Sequence, residues 1–364
     1  MRHPVTKGLR VLVTGGAGFI GANVVTHLVA RGHTTTVMDS LRPDVHRDGG
    51  DSARGRLNAL GASEPEPAQA VELVVGDVRD LDAVTRLCRD VDVVVHLAAK
   101  VGLGLDIDDI DDYVSSNDLG TATVLRAAAR AGVARFVQAS SMVVYGEGRY
   151  TCVEHGVVPP APRTRDWLEQ GHFDPPCPVC SEPLTAGLVG EDAPLDPRNT
   201  YAVTKVTQEQ LASVWSRETG GSAVSLRLHN VYGPHMPKDT PYAGVAAIFA
   251  SALDRGEAPR VFEDGGQRRD FVHVTDIGAA FTVATEADTS GHRAYNVGSG
   301  VVHTVGDLAQ ALARARGGPH PVVTGQFRLG DVRHVTASSE RIAEELGWRA
   351  TISLEEGVQA LTFG

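Results

Sequence analysis

Lysine is scarce in this chain: Lys7, Lys100, Lys205 and Lys238 are the only four among 34 basic residues. Positive charge is short overall, since 45 acidic residues leave a formal net charge of -11. Such a chain lacks the basic footprint that a phosphate backbone demands, so nucleic acid is not an expected partner. An anionic small ligand would have to find local cations instead. No apolar run is long enough to span a bilayer. The start, Met1 to Gly8, leads into a strand without the separate apolar stretch of a secretory leader. A cytoplasmic protein with no membrane partner is the expectation. Four cysteines in 364 residues do not make a disulfide scaffold. With 42% hydrophobic and 22% charged residues, the composition is ordinarily globular, with room for two domains.

Short β-branched runs precede helical segments throughout the first half: Arg10 to Thr14, Thr34 to Met38, Glu72 to Val75, Val91 to His96, Ala134 to Ser140 and Ala223 to Leu228. That alternation predicts a doubly wound parallel α/β sheet of the Rossmann kind. After the first strand stands Thr14-Gly15-Gly16-Ala17-Gly18-Phe19-Ile20-Gly21. Gly15, Gly18 and Gly21 permit a tight turn and close backbone approach to a pyrophosphate, which the following helix N-terminus favours. A plain strand-to-helix turn is the alternative. In the next segment Phe19, Ile20, Val24, Val25, Leu28 and Val29 share one helical face. Asp39 ends the second strand, where a carboxylate accepts from both ribose hydroxyls and repels a 2'-phosphate, favouring NAD over NADP. A solvated strand-end Asp is the bland reading.

Tyr201-Ala202-Val203-Thr204-Lys205 follows a turn and opens a helix running to about Glu218. Four residues apart, Tyr201 and Lys205 share a face. An ammonium there stabilises phenolate, which lowers a tyrosine pKa and makes Tyr201 a base. A surface pair is the alternative, although Tyr and Lys are both too rare here for the spacing to be common by chance. Ser141 ends the fifth strand at the sheet edge where ligands bind, poised either to hydrogen-bond a substrate hydroxyl or simply to cap a turn.

With these motifs stand Gly76-Asp77-Val78, His96-Leu97-Ala98-Ala99, Ser140-Ser141 ahead of Val144-Tyr145-Gly146, Arg227 to Pro234, Arg269 to Val274 and Arg328-Leu329-Gly330-Asp331. In this order they resemble the extended short-chain dehydrogenase/reductases, and among them the NAD-dependent nucleotide-sugar epimerases and dehydratases. The resemblance implies that Asp77 and Val78 line the adenine and that Leu97, Ala98 and Ala99 run beside the cofactor. Phe19, Ile20, Ser40, Lys100, Tyr201, Lys205 and His229 complete that set. It makes Asn117 a support of the active-site backbone. It gives Asn230, Arg269 and Arg328 the substrate's nucleoside diphosphate, two guanidiniums gripping the pyrophosphate in bidentate fashion. Ser141, Tyr201 and Lys205 become catalytic, with Ser141 also touching the sugar.

Family dehydratases carry an Asp-Glu pair directly after the Ser141 position, and this chain has Met142-Val143. Neither moves a proton, so the resemblance points to 4-epimerisation through a transient 4-keto sugar. Ala98 to Gly104 and Tyr113 to Thr121 resemble the branch acting on dTDP-L-rhamnose. A dehydratase or ketoreductase, and a non-catalytic NAD-binding regulator, are the competing readings. The family also implies a homodimer.

Fifty-five residues separate Tyr145 from Tyr201, more than such enzymes usually need. This proline-rich insert, residues 149–192, holds Cys152-x-x-His155 and Cys177-x-x-Cys180, a ligand set that suits a closed, structural zinc site. A redox-active Cys177/Cys180 pair and unligated thiols are the alternatives. As a lid beside the sugar, the insert would interrupt an NAD-binding domain spanning residues 1–230. Residues 231–364 are expected to form a smaller α/β substrate domain whose chain crosses back. The acidic run Asp106, Asp108, Asp109, Asp111 and Asp112 reads as a solvated helix start.

Overall fold

The computed structural model of the chain describes residues 8–46, 48–61, 71–102, 107–237 and 244–361. Leu103, Gly104 and Asp106 of the motifs above lie outside the described residues. Seven strands form one parallel sheet: β1 (Arg10–Thr14), β2 (Thr34–Asp39), β3 (Glu72–Val75), β4 (Val93–His96), β5 (Arg135–Ser141), β6 (Ser222–Leu228) and β7 (His292–Val297). Their spatial order is β7-β6-β5-β4-β1-β2-β3. The central strands are covered on both faces: all of β4 and all of β6 are buried, including Ser225 and Arg227 of β6. The strand β7 carries His292, Arg293 and Asn296 among its six residues, which hid it from apolar periodicity. It joins the sheet by pairing Tyr295 with Leu226 and Val297 with Leu228.

One face of the sheet is covered by helices Phe19–Ala30 and Val274–Glu286, where Val24, Val25 and Leu28 meet Ile277, Phe281 and Ala284 in one core. Helices Leu81–Leu87, Gly120–Ala131 and Thr200–Thr219 cover the other, burying Val84, Val124, Ala212 and Trp215 against Phe136. Each fully buried aliphatic or aromatic side chain contributes roughly 1.5–3 kcal/mol. The helix Gly120–Ala131 stops at Gly132, whose φ of 72° is the left-handed cap that glycine accepts most readily.

Beyond β6, strands Asn230–Tyr232, Arg268–His273 and Val302–Thr304 form a small mixed sheet, and Arg260–Val261 pairs with Val322–Val323. With helices Val245–Asp254, Val305–Arg316 and Leu354–Gln359 they enclose a second core around Phe249, Phe271, Leu308 and Leu312. The insert has its own antiparallel sheet, Gly156–Val158, Arg149–Cys152 and Thr185–Gly187. Its buried apolar cluster is only Cys152, Val158 and Cys177, with Cys180 and Leu184 packed against it. Among the described residues no helix is long and apolar enough to cross a membrane.

Candidate active site

Strand order reverses between β2 and β4, the two neighbours of β1, and that reversal opens a crevice at the carboxyl ends of the strands. A cavity of about 630 Å³ fills it, lined by every residue assigned above to the cofactor: Gly15, Gly18, Phe19, Ile20, Gly21, Asp39, Ser40, Asp77, Val78, Leu97, Ala98, Ala99, Lys100, Tyr201, Lys205 and His229. Ser141 lines it too. Gly15 has φ of 72°, and a Cβ there would stand 2.6 Å from the Ala98 nitrogen. At Gly21 a Cβ would stand 2.1 Å from the Gly15 oxygen. Glycine at both positions lets the turn close against the first helix. That helix starts at Gly18 without a side-chain cap and without an acid in its first turn, so its N–H groups and dipole suit an anion.

Asp39 accepts from the backbone N–H of Ala17 at 3.0 Å and of Leu41 at 2.9 Å, which fixes its carboxylate at the cavity wall. A carboxylate has about four acceptor sites, so hydroxyl donors remain welcome. Asp77 is gripped by Arg79 at 2.6 Å, which holds its carboxyl below the ordinary range. His229 is buried with neither ring nitrogen bonded to the protein, and burial pushes it down to about 4, so it is neutral. Arg42, His46, Arg79 and Met236 also line the cavity. They sit on loops with no motif to mark them, and sequence reading missed them.

The tyrosine helix begins where Asn199 caps it, its side chain accepting from the Ala202 N–H at 2.9 Å. Lys205 Nζ donates to the Ala139 carbonyl at 2.8 Å and lies 5.7 Å from the centre of the Tyr201 ring. Tyr201 hydrogen-bonds to Ser141. The expected lowering of the tyrosine pKa is reversed: burial raises it above its ordinary value, and the Ser141 bond only opposes that. Burial likewise lowers Lys205 to about 8, against Glu209 and Asp118, which favour the ammonium. Desolvation is the largest influence on both groups.

Behind these groups lies a buried polar layer. Ser140 donates to Glu209, which Arg227 clasps with two donors at 2.9 and 2.7 Å. Arg227 also donates to Tyr145 Oη at 2.7 Å, and Tyr145 in turn to Asn296 Oδ1 at 2.7 Å. Asn117 accepts from the Lys100 N–H at 2.7 Å and donates to the Lys100 carbonyl at 3.0 Å and to Thr204 at 2.9 Å, tying the cavity wall to the tyrosine helix. The acidic run is not simply solvated. Lys100 Nζ pairs at 2.8 Å with both Asp109 and Asp112, and Arg42 pairs with Asp112 at 3.2 Å. Lys100, just upstream, and Arg42, from a far loop, draw these two carboxylates inward, while Asp108 and Asp111 stay exposed.

The residues assigned to the substrate's nucleotide lie outside this cavity lining. Asn230 Oδ1 is buried without a protein partner. Arg269 donates to the carbonyls of Arg268, Arg333 and Val332 at 2.8, 2.9 and 2.8 Å. Carbonyls take both hydrogens of Nη1 and one of Nη2, which leaves a hydrogen on Nε and one on Nη2 for a ligand. Arg328 stacks 5.3 Å from the Phe262 ring centre. Phe262 and Thr324 to Phe327 line an open depression of about 480 Å³.

In the insert, Cys152, His155, Cys177 and Cys180 bring their donor atoms within 4.8 Å of one another. Cys152 Sγ lies 3.6 Å from Cys180 Sγ and 3.5 Å from His155 Nδ1, and Cys177 Sγ lies 3.7 Å from the same nitrogen. A tetrahedral ion about 2.3 Å from each sulfur and about 2.0 Å from a nitrogen requires edges of roughly 3.5–3.8 Å. Three of the six edges match that geometry, and the other three lie within 4.8 Å.

Residues 11–165 and 182–298 match the NAD dependent epimerase/dehydratase family. The stretch left out, 166–181, holds Cys177 and Cys180. Over 361 residues the chain is 32% identical to a dTDP-L-rhamnose 4-epimerase of Burkholderia thailandensis, covering 98% of this chain and 95% of that one. It is also 32% identical to a UDP-glucose 4-epimerase of Mycolicibacterium smegmatis, covering 96% of each. Among solved structures, a Thermus thermophilus UDP-glucose 4-epimerase complex with NAD superposes with a TM-score of 0.72 at 30% identity over 97% of both chains. Crevice, tyrosine–lysine helix and these likenesses lead to one assignment: the chain belongs to the NAD dependent epimerase/dehydratase family.

Proposed function

We propose that this family member is a nucleotide-sugar 4-epimerase that uses NAD and acts on dTDP-L-rhamnose. The observation that carries the reading is the meeting of Ser141, Tyr201 and Lys205 at the carboxyl edge of the sheet, beside the aprotic Met142 and Val143. The cavity fits the cofactor. Gly15 to Gly21 would take the pyrophosphate, Asp39 and Ser40 the adenosine ribose, and Asp77 and Val78 the adenine. Leu97 to Lys100 and the unpartnered His229 would flank the remainder. Bound NAD supplies a hydride acceptor and donor for sugar C4.

Tyr201 would take the C4 hydroxyl proton and later return it, with Ser141 bonded to the same hydroxyl, once Lys205 and the positive charge of a bound oxidised NAD offset the burial that raises the phenol. Elimination of water needs an acid and a base that Met142 and Val143 do not provide. The keto sugar is left to turn and be reduced on its other face. Similarity to a dTDP-L-rhamnose 4-epimerase along almost the whole chain supports the choice of sugar, and half-buried Met142 and Val143 suit a sugar whose C6 is a methyl group. The protein is to be incubated with dTDP-L-rhamnose without added NAD and followed by NMR. A C4 epimer with no net cofactor change is expected. Loss of water, stoichiometric NADH, or no conversion of any nucleotide sugar would reject the reading in favour of a dehydratase, a ketoreductase or a silent NAD-binding regulator.

The reading includes one structural zinc on Cys152, His155, Cys177 and Cys180, supported by the gathering of the four donors within 4.8 Å. With so small an apolar cluster in the insert, the free energy of metal binding would order it. Metal analysis should find one zinc per chain; none, with native thiols freely titratable, would sink the idea. It also includes a cytoplasmic homodimer. Ile110, Val114, Leu119, Val203 and Val214 are 40–54% exposed on neighbouring helical stretches that a second copy would cover. Light scattering at the mass of one chain would rule that dimer out.

A further inference from the structure

We propose that the insert positions the arm that grips the substrate nucleotide, with Arg163 and Asp174 as its positioning residues. The inference rests on the nucleotide-sugar reading and says where that site obtains its rigidity.

Arg163 is 2% exposed at its side chain and points out of the insert. It donates to the Phe173 carbonyl at 3.0 Å within the insert, to Glu263 Oε1 at 2.9 Å and to the Asp331 carbonyl at 2.6 Å. Asp331 closes a turn on Arg328, its N–H donating to the Arg328 carbonyl at 3.3 Å. One side chain of the insert therefore holds both Glu263, next to Phe262, and the turn that carries Arg328. Asp174 supplies a second tether. It accepts from Arg333 Nε at 3.0 Å and bonds to His334 Nε2 at 2.8 Å. Arg333 crosses back to Glu263 and Asp264, both at 2.8 Å, and its N–H donates to Glu147 at 2.9 Å just before the insert begins.

The consequence reaches the nucleotide site through backbone. The carbonyls of Val332 and Arg333 are the ones that fix the Arg269 guanidinium. Arg269 and Arg328 thus both depend on one short segment, 328–334, which two insert residues help to hold in place. Neither Arg163 nor Asp174 lines the cofactor cavity. Asp174 falls in the stretch that the family match omits, three residues before Cys177, so this tether belongs to the insert and not to the shared fold.

The test is titration of the purified protein, cofactor retained, with dTDP, together with steady-state kinetics. Arg163→Met keeps the volume of the stem and removes every hydrogen bond. Losing buried charge-assisted bonds should raise the dTDP Kd and the nucleotide-sugar KM by about tenfold. NAD content should be unchanged and kcat should stay within about twofold. Arg163→Lys, able to reach one acceptor, should recover part of the affinity. A folded Arg163→Met with unaltered dTDP affinity would overturn the proposal, as would a loss confined to kcat. Should Arg163→Met not fold, Asp174→Asn serves, because that side chain is 59% exposed; an affinity loss of about threefold is expected, and none refutes the tether. Failure of the unaltered protein to bind dTDP or UDP would strike the nucleotide-sugar reading itself, and this inference with it.

Discussion

On the cofactor side of the crevice, position is set by backbone: a glycine turn, an uncapped helix start, strand ends in register. On the proposed substrate side it is set by side chains from distant stretches, Arg269 from one strand, Arg328 from a turn 59 residues later and the insert from well before both. The first construction is local in sequence and tolerates side-chain change only where no Cβ intrudes. The second is assembled by buried charge, which is costly to break because a lone partner is left desolvated. Changes on the two sides should therefore fail differently, one by losing the cofactor and the other by losing grip on the nucleotide.

The sharpest separation comes at the residue between the two sides. Tyr201→Phe removes only a hydroxyl bonded to Ser141 and leaves the ring against the cavity. Turnover should fall by about 10³-fold or more, while NAD content per chain, read by absorbance after denaturation, stays unchanged. Substantial activity in that variant would dismiss Tyr201 as the proton carrier.

Gly21→Ala probes the backbone side. The added Cβ meets the Gly15 oxygen at 2.1 Å, with no flexible side chain to give way. Opening that turn should weaken NAD binding by about a hundredfold, near the roughly 3 kcal/mol of a strained, overpacked contact, and the protein should purify without cofactor. Activity should return in part with added NAD, since Tyr201 and Lys205 stand on another helix. Retention of full NAD through purification would show that the turn yields cheaply and that the contrast between the sides is overstated.

The same contrast explains how much was legible in the sequence. Glycine spacing, strand-end acids and the Tyr201–Lys205 interval are short-range patterns, and each cofactor assignment fell on the cavity wall. The paired Cys/His spacings foretold a cluster for the same reason. The strand β7 went unseen because its mixed polarity has no period of its own and only β6 gives it a place. That three of the five Arg269 hydrogens go to carbonyls could not be read, because two of those carbonyls belong to Val332 and Arg333, more than sixty residues on. Tyr201 looked like an acidified phenol because burial, which reverses the sign, is a property of the fold. Arg163 carried no signal at all: an arginine in a proline-rich stretch reads as surface until Glu263 and Asp331 arrive beside it.

Lys100 is the mildest test and the one that refines the boundary. Sequence placed it with the cofactor, and it does line the cavity, but its ammonium is engaged by Asp109 and Asp112. Its backbone N–H and carbonyl, not its charge, are what Asn117 fastens. Lys100→Met keeps the stem and both backbone bonds. Asp109 and Asp112, both partly exposed, lose the lysine, but Asp112 keeps Arg42, whose hydrogen bond is the chief reason its carboxyl lies below the ordinary range. NAD affinity should then change by no more than about threefold, in keeping with the small worth of partly exposed pairs, as measured by fluorescence titration of cofactor-stripped protein. Asn117→Ala at the same wall should cost more, because it frees a buried N–H and carbonyl together. If the lysine change proves the more damaging of the two, the cofactor side is held by charge after all.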